Sequence, residues 1–155
     1  MTRFRRAVGR FGGSLVIAAA VLATAACAEK PSLLIDRLQV SAAPRANDDS
    51  PVAVDLVLVH EQALVDQVLA LTAADWFGKR EQLRRDHPEG LTLYSWEVVP
   101  DQLLVDEITG ERAAWAAIIF TSYHTPGAHR LRLAPGAITD PVRLRLEETS
   151  AVLLP

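Results

Sequence analysis

Leu91-Thr-Leu-Tyr-Ser-Trp-Glu-Val-Val99 and Ala113-Ala-Trp-Ala-Ala-Ile-Ile-Phe-Thr-Ser-Tyr123 decide the fold. The first stretch alternates. Thr92, Tyr94, Trp96 and Val98 fall on one face, and Leu91, Leu93, Ser95 and Glu97 on the other, the two-residue period of a strand. The second is the most apolar run beyond the N-terminal segment and reads as a central strand, buried on both faces. Pro100-Asp101 makes a turn between them, Gln102 to Ile108 a short strand, and Thr109-Gly110 closes it. Downstream, the turns His124-Thr-Pro-Gly127 and Ala134-Pro-Gly136 delimit strands over Ala128 to Leu133, Val142 to Leu146 and Ser150 to Leu154.

Upstream, Leu33 to Ala42 alternates, with Leu38, Val40 and Ala42 opposed to Arg37, Gln39 and Ser41. Ala43 to Pro51 is a polar loop rich in turn formers and bracketed by Pro44 and Pro51. Val52 to Val59 is a nearly continuous β-branched run, a strand with both faces covered. The period then changes. Leu64, Val68 and Leu71 recur at helical spacing. Thr72 and Asp75 have the spacing of a capping box for a second helix carrying Trp76, Phe77, Arg80, Leu83 and Arg84. His87-Pro-Glu-Gly90 ends it. Several short strands at regular spacing, with one helical insertion at about residues 61–87, predict a mainly β fold, a β-sandwich over residues 33–155.

Residues 1–26 are of another kind. Arg3, Arg5, Arg6 and Arg10 precede the apolar run Ser14 to Ala23, and small residues Thr24, Ala25 and Ala26 lead to Cys27. This order is that of a secretory signal peptide, and the run is short for a membrane span. Leu22-Ala-Thr-Ala-Ala-Cys27 resembles the lipobox of bacterial lipoproteins, although Thr24 stands where leucine is usual. Cys27 is the only cysteine of the 155 residues, so it makes no internal disulfide, and lipidation gives it a role. Several acyl chains on one residue anchor stably, at about 0.8 kcal/mol per buried methylene. Residues 28–32 then form a tether. Ala28 is not aspartate, which in such lipoproteins favours the outer membrane, facing the periplasm. Without its leader the chain carries 12 basic and 19 acidic residues. That balance argues against nucleic acid, whose binding runs on clustered Lys and Arg.

No catalytic set assembles from the sequence. His60-Glu61 lacks the second histidine of the zinc-protease helix, and no Gly-x-Ser-x-Gly, P-loop or dinucleotide fingerprint occurs. His124 and His129 flank a Pro-Gly turn, too few ligands for a tetrahedral metal site, so polar residues at a hairpin tip is the preferred reading. Asp48-Asp49 lacks the spacing of a calcium loop and reads as a solvated turn. Arg130, Arg132, Arg143 and Arg145 form one basic patch if their strands pair; the preferred alternative is an ordinary solvent face above leucines. Trp96, Trp115 and Tyr123 would line a pocket if the protein bound a periplasmic ligand. No enzyme, metal or cofactor is expected.

The layout resembles the TssJ (SciN) family, the outer-membrane lipoproteins of type VI secretion systems. The resemblance lies in the lipid-modified Cys27 ahead of a small sandwich. It extends to Leu38-Gln-Val-Ser-Ala-Ala-Pro-Arg-Ala-Asn47, Ser50-Pro-Val-Ala-Val-Asp-Leu-Val-Leu-Val59, Leu69-Ala-Leu-Thr-Ala-Ala-Asp-Trp-Phe-Gly78, Tyr94 to Asp101 and Ala116 to Tyr123. Val57 to His60 stand where the family commonly ends its second strand with Tyr and Leu, and the hairpin His124 to Leu133 is not matched to the family. The resemblance implies a transthyretin-like antiparallel β-sandwich with added helices, no catalysis, and attachment of a trans-envelope complex to the outer membrane. It also implies binding to the periplasmic part of a large inner-membrane protein (TssM) through the loop between the first two strands. Here that loop is Ala43 to Pro51, with Arg45, Asn47 and Asp48 as the contact residues.

Overall fold

The computed structural model describes residues 30–109, 112–134 and 140–155. The leader, Cys27, Gly110 and the Pro135-Gly136 turn lie outside the described residues. The elements are β1 (Arg37–Ala42), β2 (Val52–Val59), α1 (Gln62–Leu69), α2 (Ala73–Asp86), β3 (Leu91–Val98), β4 (Leu103–Glu107), β5 (Ala116–Thr121), β6 (Arg130–Leu133), β7 (Val142–Leu146) and β8 (Ala151–Leu154). They form two four-stranded sheets, β4-β1-β7-β8 and β3-β2-β5-β6, packed as a sandwich. The fold is mainly β, as expected, with the helices between the second and third strands. Every pairing is antiparallel except one: β1 and β7 run parallel, with Leu38 beside Val142 and Val40 beside Leu144.

Strand β2 shows how the sequence builds both layers. Val52, Val54, Leu56 and Leu58 point between the sheets, while Val57 and Val59 point to the helices. All six are buried. On β3, Tyr94, Trp96 and Val98 face the sandwich and Leu91 and Leu93 face the helices, the two faces its alternation predicts. On β1, Leu38, Val40 and Ala42 turn inward. Each fully buried Leu, Val or Ile contributes about 1.5–3 kcal/mol over its exposed state.

The helices cover only the β3-β2-β5-β6 sheet. Leu64 and Val68 bury one side of α1. Thr72 and Asp75 cap α2: the Asp75 N–H donates to Thr72 Oγ1 at 3.2 Å, and the Thr72 N–H donates to Asp75 Oδ2 at 3.4 Å. The Thr72 hydroxyl and backbone N–H, with Lys79 adding a smaller attraction, hold the Asp75 carboxyl below the usual carboxylate range. From α2, Trp76 lies flat on Phe120, ring centres 5.0 Å apart. Its indole N–H donates to Asp55 Oδ2 at 2.7 Å, and Arg80 donates to the same oxygen at 2.8 Å. Asp55 is wholly buried in the middle of β2, and its other oxygen has no partner among the described residues.

Two expectations are corrected, and one alternative falls. Regular strand begins at Arg37 rather than Leu33, which makes only an isolated bridge to Ala114. Trp115 precedes β5 rather than lying within it, and is half-buried. The four arginines form no common patch, because β6 and β7 belong to different sheets. Alternation fixes which way a side chain faces but not which strand lies alongside. The leucines between those arginines do turn inward, as the solvent-face reading requires.

Breaking the Asp55–Arg80 pair has unequal costs. Arg80→Met leaves a buried carboxylate without its cation and is expected to cost about 3–5 kcal/mol. Asp55→Asn keeps an acceptor for Trp76 and frees a cation that reaches water, so it is expected to cost about 1–2 kcal/mol. Denaturant melts of both variants check the order; equal losses would refute it.

Candidate functional site at the loop end of the sandwich

The two ends of the sandwich differ. The N-terminal segment enters at one end, where Leu33 and Ala114 exchange backbone hydrogen bonds of 3.1 and 2.8 Å. β1 then runs the length of its sheet and delivers the 43–51 loop to the opposite end. Segments 99–102, 122–129 and 147–150 gather there with it. The Ala42 N–H donates to Gln102 O at 2.9 Å, and the Ala43 N–H to Leu146 O at 2.8 Å.

Asn47 joins the loop to two of these segments, 122–129 and 147–150. Its Oδ1 accepts the His124 N–H at 2.8 Å, and its Nδ2 donates to Pro51 O at 3.0 Å and to Ser122 O at 3.5 Å. Its backbone N–H donates to Glu148 O at 3.0 Å. Asn47 is 2% exposed. It therefore acts on the loop from within, and its side chain is not presented at the surface. Asn47, Asp48 and Asp49 have φ of 50°, 54° and 58°, three successive residues in the left-handed region. That conformation costs roughly 1–2 kcal/mol per L-residue, and Asn and Asp bear it best. The surrounding hydrogen bonds hold it in place.

Tyr123 makes a second tie. Its hydroxyl lies 2.8 Å from Ser150 O and 3.0 Å from Glu147 O, bonding the 122–129 segment to the turn after β7. Burial first, and the Glu147 charge second, push its pKa up to about 12. The His129 ring stacks on Tyr123 at 5.2 Å, and its Nε2 lies 2.6 Å from Thr125 O.

Arg45 and Asp48 are exposed on the loop surface. Arg45 reaches Glu148 at 3.2 Å, an open pair of small energetic weight. A cleft of about 490 Å³ lies beside the loop, between the first turn of α2 and the 122–129 segment. Ala74, Phe77, Tyr123, His124, Pro126 and His129 line it. Trp96, Trp115 and Tyr123 do not converge on one pocket. The Trp96 indole N–H donates to Asp106 at 2.7 Å, and Trp115 lies at the other end of β5 from Tyr123. His60 sits away from the cleft, its Nε2 2.9 Å from Thr92 Oγ1. Among the described residues no group of three or more His, Cys, Asp or Glu converges as a metal site.

No family model and no curated protein matches the sequence. Solved structures do match the fold. A chain in the structure of the TssM C-terminal domain of the type VI secretion system of EAEC aligns over 77% of this chain and 96% of its own, with a TM-score of 0.60 and 14% identity. The type VI lipoprotein TssJ1 of Pseudomonas aeruginosa aligns over 76% and 92%, with a TM-score of 0.55 and 16% identity. The chain is TssJ-like in fold. Lip of Serratia marcescens, a membrane-bound component of the same kind of system, aligns over 77% and 98%, with a TM-score of 0.52 and 12% identity. At such identities the TssJ-like likeness lies in the backbone and the order of elements.

Sequence reasoning missed the inward role of Asn47 and the burial of Asp55. For Asp55 a signal was present: one acid inside an apolar strand, with Trp76 and Arg80 four residues apart on the next long helix.

Two outcomes test this account. Asn47→Gly relaxes the backbone yet removes the side-chain ties, and is expected to cost about 2–4 kcal/mol, while Asp48→Gly is neutral or mildly stabilising. A folded pKa above the unfolded value of about 10 means that the Tyr123 contribution is complete below pH 10 and lost as pH rises through about 12. Wild-type stability should fall in that window more steeply than that of Tyr123→Phe, measured by denaturant melts at stepped pH.

Proposed function

We propose that this protein is a non-enzymatic, lipid-anchored member of a type VI secretion membrane complex. Diacylation of Cys27 on its sulfur, followed by removal of residues 1–26, ties it to the outer membrane, facing the periplasm. The loop end docks on the periplasmic part of a TssM-like inner-membrane protein. Arg45 and Asp48 make the contact, and Asn47 holds the loop in shape.

The observation that carries this reading is the opposition of the two ends. The chain reaches Leu33 six residues after Cys27, so the anchored end stays within about 20 Å of the bilayer. The 43–51 loop, at the other end of β1, then projects away from the membrane. Loops held on a rigid scaffold are favoured sites of recognition. The TssJ-like fold supports the same role. Membrane confinement raises the effective concentration of the docking face, so a modest interface suffices.

Cys27→Ser is expected to move the protein from the membrane to the soluble periplasmic fraction and to abolish labelling by a palmitate analogue. Continued membrane association, or a wild-type protein that takes no label, refutes the anchor. Asp48→Lys is expected to weaken binding to the purified periplasmic domain of the TssM-like protein by about tenfold, measured calorimetrically. Undiminished binding by both Asp48→Lys and Arg45→Ala refutes the loop contact.

A further inference from the structure

The 43–51 loop has a cleft beside it. We propose that the cleft between the first turn of α2 and the 122–129 segment receives an apolar side chain from a cationic segment of the docking partner. This inference rests on the docking reading above and extends the contact from the loop tip into a pocket.

The cleft and the loop form one continuous surface. His124, on the cleft wall, donates its backbone N–H to Asn47, the residue next to Asp48. The walls are set before anything binds. The Ala73 N–H donates to Ala128 O at 2.8 Å, fixing the start of α2 to the opposite wall. Tyr123 is held by two carbonyls and covered by the His129 ring. A preformed cavity spares the partner the cost of ordering it. Its volume lies in the range of ordinary binding pockets, and its Phe77, Tyr123 and Pro126 walls suit an aliphatic or aromatic group.

The surrounding charge selects the rest of the segment. The loop end carries Asp48, Asp49, Asp101, Glu147 and Glu148 against Arg45 and Arg145. Arg45 pairs with Glu148, and Arg145 with Glu147 at 2.7 Å. Asp48, Asp49 and Asp101 have no counter-ion among the described residues. A Lys- or Arg-bearing segment running from the cleft onto the loop end meets complementary charge there, and its association weakens as salt rises. The other sizeable cleft on α2, beside Arg84, Arg85 and β3, opens at the far end of that helix and plays no part here.

The test uses the mature, lipid-anchored protein in membranes and the purified periplasmic domain of the TssM-like protein of the same bacterium. Ala74 is an exposed α2 residue on the cleft wall, so Ala74→Trp fills the cleft and Ala74→Lys places a cation at it. Both are expected to weaken binding about tenfold without lowering Tm. Asp48→Asn with Asp49→Asn is expected to weaken binding several-fold and to flatten its salt dependence. If both Ala74 variants bind like wild type, the cleft proposal is overturned, while a loss with Asp48→Lys keeps the docking reading. Salt-independent wild-type binding overturns the cationic segment. A wild-type protein that dimerises until Ala74→Trp separates it points to a second copy as occupant and overturns the proposal. Absence of any wild-type binding sinks both readings.

Discussion

The side chain of Asn47 bonds segments far apart in the chain: His124 and Ser122 after β5, and Pro51 at the start of β2. Its backbone adds Glu148, after β7. An amide is suited to this position because it both donates and accepts, so its buried polar atoms are all satisfied. It is also one of the few side chains that tolerate the left-handed backbone found there. The conformation of the 43–51 loop depends most on this one residue. Backbone bonds from Ala42 and Ala43 fix where the loop begins, and Tyr123 adds a second tie between its neighbours. Asn47 holds three segments, 43–51, 122–129 and 147–150, in one shape.

The rest of the body is arranged to hold that end rigid. β2 lies between two apolar layers, and its one acid, Asp55, makes the outer layer specific. A buried carboxylate demands donors, and only the Trp76 and Arg80 face of α2 supplies them here. The helix is thus held in rotation by polar chemistry and in depth by Trp76 against Phe120. That placement sets the position of the first turn of α2, which forms one wall of the cleft.

Much of this was legible in the sequence. β2 and β7 begin and end where the apolar pattern does, and the capping box at Thr72 marks the start of α2. Both faces of β3 followed from alternation alone. What escaped were relations between elements. The Arg-Leu-Arg-Leu strands look like partners, yet a pattern along one strand carries no information about its neighbour across the sheet. Asn47 sits among Pro, Arg, Asp and Ser, a composition that reads as solvated, and its burial arises only when the 122–129 and 147–150 segments close on it. Trp115 continues an apolar run, but the backbone there turns out of the ladder after its N–H meets Val59 O.

The inner position of β1 has a mechanical side. β1 leads from the end where the N-terminal segment enters to the loop end, with β4 on one flank and β7 on the other. In the anchoring and docking reading proposed above, a tug between a lipid on the N-terminal segment and a partner gripping the 43–51 loop runs along the backbone of this strand. The strand is already extended, so its covalent chain carries such a load directly, and the hydrogen bonds on its flanks are not pulled open. The rest of the sandwich then stays unstrained while one strand bears the pull.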